Sequence, residues 1–162
     1  MKPNSILKAN LADVASIDAI VTAAYDVISG PAGQERDWER ERSLFFPGAR
    51  LIPTRKGADE AESENALWPQ AMDVDGFIAR SREFLKDGFF EQEIARRTEQ
   101  FGHIAHVWST YESRHERDDP HPFMRGINSF QLFHDGSRWW IVTIFWQHES
   151  VADPIPGRYL ES

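Results

Sequence analysis

Acid–base chemistry is what the reactive side chains of this sequence offer. The 162 residues include no cysteine, which removes thiol nucleophiles, thiolate metal sites and disulfides together. Six histidines remain: His103, His106, His115, His121, His134 and His148. His106 stands between Ala105 and Val107 in a run with strand character. An imidazole titrates near neutrality, so His106 is a candidate general base, with wall lining or structural packing as its plainer role. His103 and His106 are an odd number apart, which on a strand sends them to opposite faces, and the histidines form no metal-like cluster. The expectation is no metal and no cofactor. Tyr25 offers a hydroxyl for a ligand or a buried partner, and Asp18, seven residues earlier, is a more remote catalytic candidate. Trp38 and Trp146 can supply an aromatic wall, Ser129 a hydroxyl, and Arg125 a cation for a ligand or for an aromatic ring.

These side chains have to be positioned by the surrounding elements. From Ala12 to Ser29, apolar residues recur at three- and four-residue spacing after Asn10, a helix N-cap, and before the stop "GPAG". Tyr25 belongs to this amphipathic helix. "QERDWERERSLFF" is a second short helix anchored by Trp38, and "DVDGFIARSREFLKDG" a third, with Asp73 as N-cap and Gly88 as C-cap. "ARLIPT" is a short strand. "RKGADEAESEN" is polar and has no core-forming residues, so it reads as a loop. In "ALWPQAM", Pro69 confines any strand to a sheet edge or bulge. The second half is a meander of four strand segments, "FFEQEIARRTEQF", "GHIAHVWSTYESRHE", "FMRGINSFQLF" and "RWWIVTIFWQHE", the last two joined at Asp135-Gly136. Helices first and strands later predict an α+β domain with helices on one face of an antiparallel sheet. No boundary divides the chain, so residues 1–162 read as one domain.

The stretch "WWIVTIFW" does not alternate, so both of its faces need a cover. Helices supply one, and a second copy of the same sheet is the economical other, which predicts a two-fold homodimer. The inner face can hold a cavity as readily as a solid core. With a two-residue Asp-Gly turn, Ser129 falls opposite Val142 and Arg125 opposite Trp146, and the face holding Arg125, Ser129 and Trp146 becomes the ligand wall. A bulge would exchange Arg125 and Ser129 for Asn128 and Phe130.

A net charge of −8 speaks against nucleic acid and acidic membrane as partners, since both require a basic footprint. The start "MKPNSILKANLADVASID" has no long apolar run after its lysine, so neither a signal peptide nor a membrane span is expected, and a cytoplasmic protein is the default. The partner expected for an aromatic wall with one cation is a small organic molecule, uncharged or anionic.

The order of these segments, with "RDWERERSLFFPGARLIP", "FGHIAHVWSTYESR", "RGINSFQLF" and "DGSRWWIVTIFWQHE", resembles the nuclear transport factor 2-like superfamily in its SnoaL-like bacterial branch, over nearly the whole chain. The resemblance implies a cone-shaped α+β fold, with a strongly curved mixed or antiparallel sheet packed on three N-terminal helices, a pocket at the wide end, and dimerisation through the sheet's outer face. By the same resemblance, "IAHVWST" turns His106 and Trp108 inward. The superfamily spans isomerases, dehydratases, epoxide hydrolases, cyclases and assembly domains, so the fold does not choose among them. Ketosteroid isomerases of this fold pair a helix tyrosine, for which Tyr25 stands, with strand aspartates that the span from His103 to Glu149 does not offer. An epoxide hydrolase site would call on Arg125 and Asp18, and a scytalone dehydratase-like site on His106, Tyr25, Asn128 and Ser129. Three readings follow: a small-molecule-binding protein, a dehydratase, isomerase or cyclase acting on a polar aromatic or polyketide-like compound, or a dimeric assembly domain without catalysis.

Overall fold

In the computed structural model, which describes residues 8–56 and 67–162, the first amphipathic pattern folds as two helices. Asn10 caps α1 (Leu11–Val14), accepting from the Ala12 amide at 3.1 Å. Ser16, in extended backbone, restarts the chain as α2 (Ile17–Ile28) by accepting from the Ala19 amide at 3.0 Å. The expected single helix is broken there because two capping side chains stand six residues apart. Asp37 caps α3 (Trp38–Leu44), and Asp73 caps α4 (Val74–Phe84), which tightens into a 3₁₀ turn over Leu85–Asp87 and ends at Gly88 with φ +81°. The loop expected over 55–65 lies for the most part outside the described residues.

Six strands form one mixed sheet in the order β2-β1-β6-β5-β4-β3. They are β1 (Phe45–Lys56), β2 (Leu67–Pro69), β3 (Phe90–Phe101), β4 (Ile104–Arg114), β5 (Met124–His134) and β6 (Trp139–His148). β3 to β6 are the expected antiparallel meander, and Pro69 sits in a three-residue edge strand, where its missing N–H costs no ladder bond. β1 returns parallel to β6, with Leu51 opposite Ile144 and Pro53 opposite Trp146. The sheet is open, with β2 and β3 as its edges. Ile20, Val21, Ala24 and Tyr25 of α2 pack on Val107, Tyr111, Phe130, Leu132, Ile141 and Ile144, which defines the inner face. Each large apolar side chain buried there contributes roughly 1.5–3 kcal/mol. Trp38, Ile78, Leu85 and Phe89 form a second cluster between α3 and α4. Among the described residues no helix is long and apolar enough to cross a membrane.

The β5–β6 register differs from the two-residue-turn reading. Four residues, Asp135 to Arg138, connect His134 to its partner Trp139, and the Asp135 carboxylate gathers the Ser137 and Arg138 amides at 2.7 and 2.9 Å. Leu132 then pairs with Ile141 but Gln131 with Thr143, so Val142 is an extra residue on β6. This bulge turns the strand over. Trp139 and Ile141 face the core on one side of it and Ile144 and Trp146 on the other, while Trp140 and Phe145 lie on the outer face. Asn128 is therefore opposite Trp146, and Ser129 opposite Phe145.

Candidate active site

A cavity of about 450 Å³ opens between α2, α3, α4 and the inner face of the sheet. Its walls are mostly apolar, including Ile28, Leu51, Phe77, Phe89, Ile144 and Trp146, and one set of its polar groups converges from α2, β3, β4 and β5. The period of two in a strand explains that convergence. β4 presents Ala105, Val107, Ser109, Tyr111 and Ser113 to one face, so three hydroxyls follow two apolar residues down the same side. β3 answers with Glu93 opposite Tyr111 and Glu91 opposite Ser113.

Two polar arrangements result. In the first, the Asn128 amide donates to the Tyr25 hydroxyl at 3.0 Å and Tyr25 Oη lies 2.7 Å from Ser109 Oγ. The Ser109 hydroxyl donates to Glu93 in a short bond, so it receives the Tyr25 proton rather than supplying one. Glu93 is held by Arg96 at 2.8 Å, and Arg96 by Asp18 at 3.2 Å. Desolvation, reinforced by Glu91, pushes the Tyr25 pKa up, so its phenol stays neutral. In the second, Glu91 accepts from Ser113 Oγ at 2.9 Å, and among the described residues no salt bridge reaches it. Loss of hydration pushes the Glu91 carboxyl up to about 7, against the opposing pull of hydrogen bonds from Ser113 and Asn128. Tyr111, beside it, is also raised by desolvation and by the Glu91 charge. Its ring meets that of His148 edge-on with centroids 6.4 Å apart, and burial followed by the Arg55 charge lowers the His148 pKa. Gly126 makes room for Tyr111: a Cβ there would stand 2.4 Å from its hydroxyl.

Of the residues singled out in the sequence, the structure brings Tyr25 and Trp146 together in the cavity wall. It does not bring the others there. Trp38 lies behind the wall in the second cluster, donating to Glu35 at 2.6 Å. Asp18 lies with Glu93 and Arg96 in a separate polar recess of about 390 Å³, which shares only Tyr25 and Glu91 with the cavity. His106, Trp108, Ser129 and Arg125 are on the outer face. β4 turns Ala105 and Val107 to the core, which sends His106 and Trp108 outward, contrary to the inward placement implied by the resemblance. The Val142 bulge does the same to Ser129 and Arg125 relative to Trp146. There His106 pairs with Gln131 at 2.7 Å, Trp108 packs on Tyr159, and Arg125 grips Glu149 with two bonds of 2.8 and 3.0 Å rather than stacking on Trp146. Arg55 and Arg80 are the guanidinium groups of the cavity wall instead.

Nothing in the strand segment "FFEQEIARR" sets Glu91 apart from its neighbouring charges. The hydroxyl stripe Ser109, Tyr111, Ser113, in phase with Ala105 and Val107, was the available signal. Hydroxyls on a buried face need acceptors, and an adjacent strand has to bring them.

No protein-family model and no curated protein matches this sequence. Solved structures match its shape. A protein of unknown function with a cystatin-like fold from Nostoc punctiforme superposes with a TM-score of 0.61 at 9% identity, covering 83% of this chain and 90% of its own. An NTF-2-like protein of unknown function from Silicibacter pomeroyi gives 0.52 at 20%, covering 83% and 94%. A candidate ketosteroid isomerase from Shewanella frigidimarina gives 0.51 at 12%, covering 78% and 90%. The chain has the nuclear transport factor 2-like α+β fold.

Proposed function

We propose that the chain binds a small organic molecule in the 450 Å³ cavity and moves a proton on it, as an isomerase or dehydratase does. One arrangement carries this reading: Glu91, which no salt bridge reaches among the described residues, accepts from Ser113 in the wall of an apolar cavity, where desolvation pushes its carboxyl up to about 7. A carboxyl poised there is present in both forms at neutral pH and can take a proton and return it. In an isomerisation, carboxylate Glu91 would remove a proton from carbon beside a carbonyl, and the bonding pair would pass to the carbonyl oxygen. Acid Glu91 would then deliver the same proton to another carbon as the carbonyl re-forms. The neutral Tyr111 hydroxyl is the nearby group suited to donate to that oxygen. Tyr25, committed to Ser109 and Asn128, holds the floor in place. Arg55 and Arg80 favour an uncharged or anionic ligand. The neighbour described as a ketosteroid isomerase agrees with the reaction class and adds nothing about this chain's substrate.

The test is deuterium exchange. In D2O, a panel of cyclic ketones and enones should include members whose α-protons exchange faster with the protein than without it, read by proton NMR. Glu91→Gln should lower that rate about 10²–10⁴-fold, and Asp18→Asn should leave it within about twofold. Exchange that is equally fast in Glu91→Gln would remove Glu91 from the role.

The same reading takes the whole chain as one such domain, paired with a second copy through the outer face of the sheet. Phe46 and Phe145 are 40% and 43% exposed there, and Phe46 meets Trp140 and Phe133 edge-on with centroids 5.8 and 6.0 Å apart. An apolar strip of this kind needs a cover. Light scattering should give a dimer at micromolar concentration, weakened by Phe145→Ala and kept by Trp146→Ala. The opposite pattern would place the contact elsewhere.

A further inference from the structure

Two buried polar atoms in the cavity wall, Glu41 Oε2 on α3 and Ser81 Oγ on α4, have no hydrogen-bond partner among the described residues. Glu41 is 2% exposed and Ser81 1%. They stand on helices α3 and α4, whereas Glu91 and Asn128 come from strands β3 and β5. An unsatisfied buried polar group costs on the order of 1–3 kcal/mol, and no hydrogen bond among the described residues offsets it. Groups of this kind are expected where something other than the chain completes them.

The chemistry of the pair narrows what that is. Burial pushes the Glu41 carboxyl up to about 8 against the pull of Arg40, so at neutral pH it is mostly the acid, an O–H donor beside an acceptor oxygen. Ser81 likewise both donates and accepts. The complement to two such groups is a neutral hydroxyl or carboxamide. A fixed cation is disfavoured by Arg55 and Arg80 in the same cavity.

We propose that Glu41 and Ser81 form a second polar subsite of the cavity, so that its ligand is an apolar-bodied molecule with a neutral hydrogen-bonding group at each of two ends, one at Glu41 and Ser81 and the other at Asn128 and Glu91. The apolar body would lie along Leu51, Ile144 and Trp146, which line the same space. This rests on the reading of the cavity as a ligand site and adds the shape and polarity of what it takes.

Calorimetric titration with straight-chain 1-alkanols and the α,ω-alkanediols of equal carbon number, about six to ten carbons long, separates the two claims. A cavity with one polar end binds each diol more weakly than its alkanol, because the second hydroxyl is desolvated without a partner. With two polar ends, one chain length should bind as the diol about tenfold more tightly than as the alkanol. Glu41→Met and Ser81→Ala, each made singly, should abolish that advantage and leave alkanol binding within about twofold. The Ser81 variant keeps the test valid if the glutamate replacement does not fold. If alkanols bind but every diol is weaker, the second subsite is wrong and the cavity stands; a single trapped water would give this result. If the diol advantage survives in both variants, the subsite has been assigned to the wrong residues. If neither series binds, the cavity reading fails with it.

Discussion

Glu91 and Glu93 leave the same strand two residues apart and enter different surroundings. Glu93 faces the polar recess, where Arg96 holds it at 2.8 Å and Ser109 donates to it. Glu91 borders that recess but also reaches the apolar cavity, and its partners are neutral: the Ser113 hydroxyl and the Asn128 amide. A guanidinium favours a carboxylate's charged form, whereas desolvation among neutral donors raises its pKa toward the pH at which it works. Side-chain type and secondary structure are the same in both cases. What differs is the cation: Arg96 pairs with Glu93, whereas among the described residues no salt bridge reaches Glu91. One glutamate fastens the sheet to α2 through Tyr25, and the other is left able to move a proton.

The contrast is sharpest in stability. Arg96→Met should leave Glu93 with its charge in a pocket where both side chains are only about a fifth exposed, at a cost of about 2 kcal/mol, between the values for surface and buried pairs. Chemical denaturation would measure it. Glu91→Gln should cost nothing at pH 8 and raise the midpoint, since it removes a desolvated charge without stranding a partner. Equal losses in the two variants would erase the distinction drawn between the sites.

A smaller effect is expected in the pH dependence. Because the folded-state pKa of Glu91 lies above 4.5, the folded chain keeps a proton that the unfolded chain releases between pH 4.5 and about 7. Its contribution is therefore most favourable below about pH 4.5, declines as pH rises to about 7, and is level above that. Comparing melting temperatures of the parent chain and Glu91→Gln cancels the other groups, including His148, whose lowered pKa acts in the opposite sense. The advantage of the glutamine variant should grow across that window and then stop growing. An advantage independent of pH would mean that Glu91 is not desolvated.

Much of the fold could be read from the sequence because its signals are local. Asn10 and Asp73 each stand at a helix start with their side chains accepting from the first turn, and β3 to β6 fall within the expected meander, whereas β1 is twice as long as the expected "ARLIPT". Pro69 sits at the sheet edge because a missing N–H leaves few other positions. The candidate site was harder, because its composition depends on one residue. Val142 is an ordinary β-branched strand residue by type, and nothing local marks it as the extra residue between the pairs Leu132–Ile141 and Gln131–Thr143. That single offset exchanges Ser129 for Asn128 in the wall. Trp146 stays inside because it lies beyond the bulge on the strand that turns, whereas Trp140, on the other side of it, does not. Glu41 and Glu91 were obscured for a related reason: each sits among other charges in the sequence, and only the tertiary structure separates the buried carboxyls from the solvated ones.

The most direct measurement is a 13C NMR titration of the side-chain carboxyls in the unliganded protein, with the Glu91 resonance assigned by its loss in Glu91→Gln. The Glu91 carboxyl should titrate with a midpoint at about 7. A midpoint at the ordinary glutamate value of 4.5 would leave a charged, solvated carboxylate in the cavity wall and contradict its role in proton transfer.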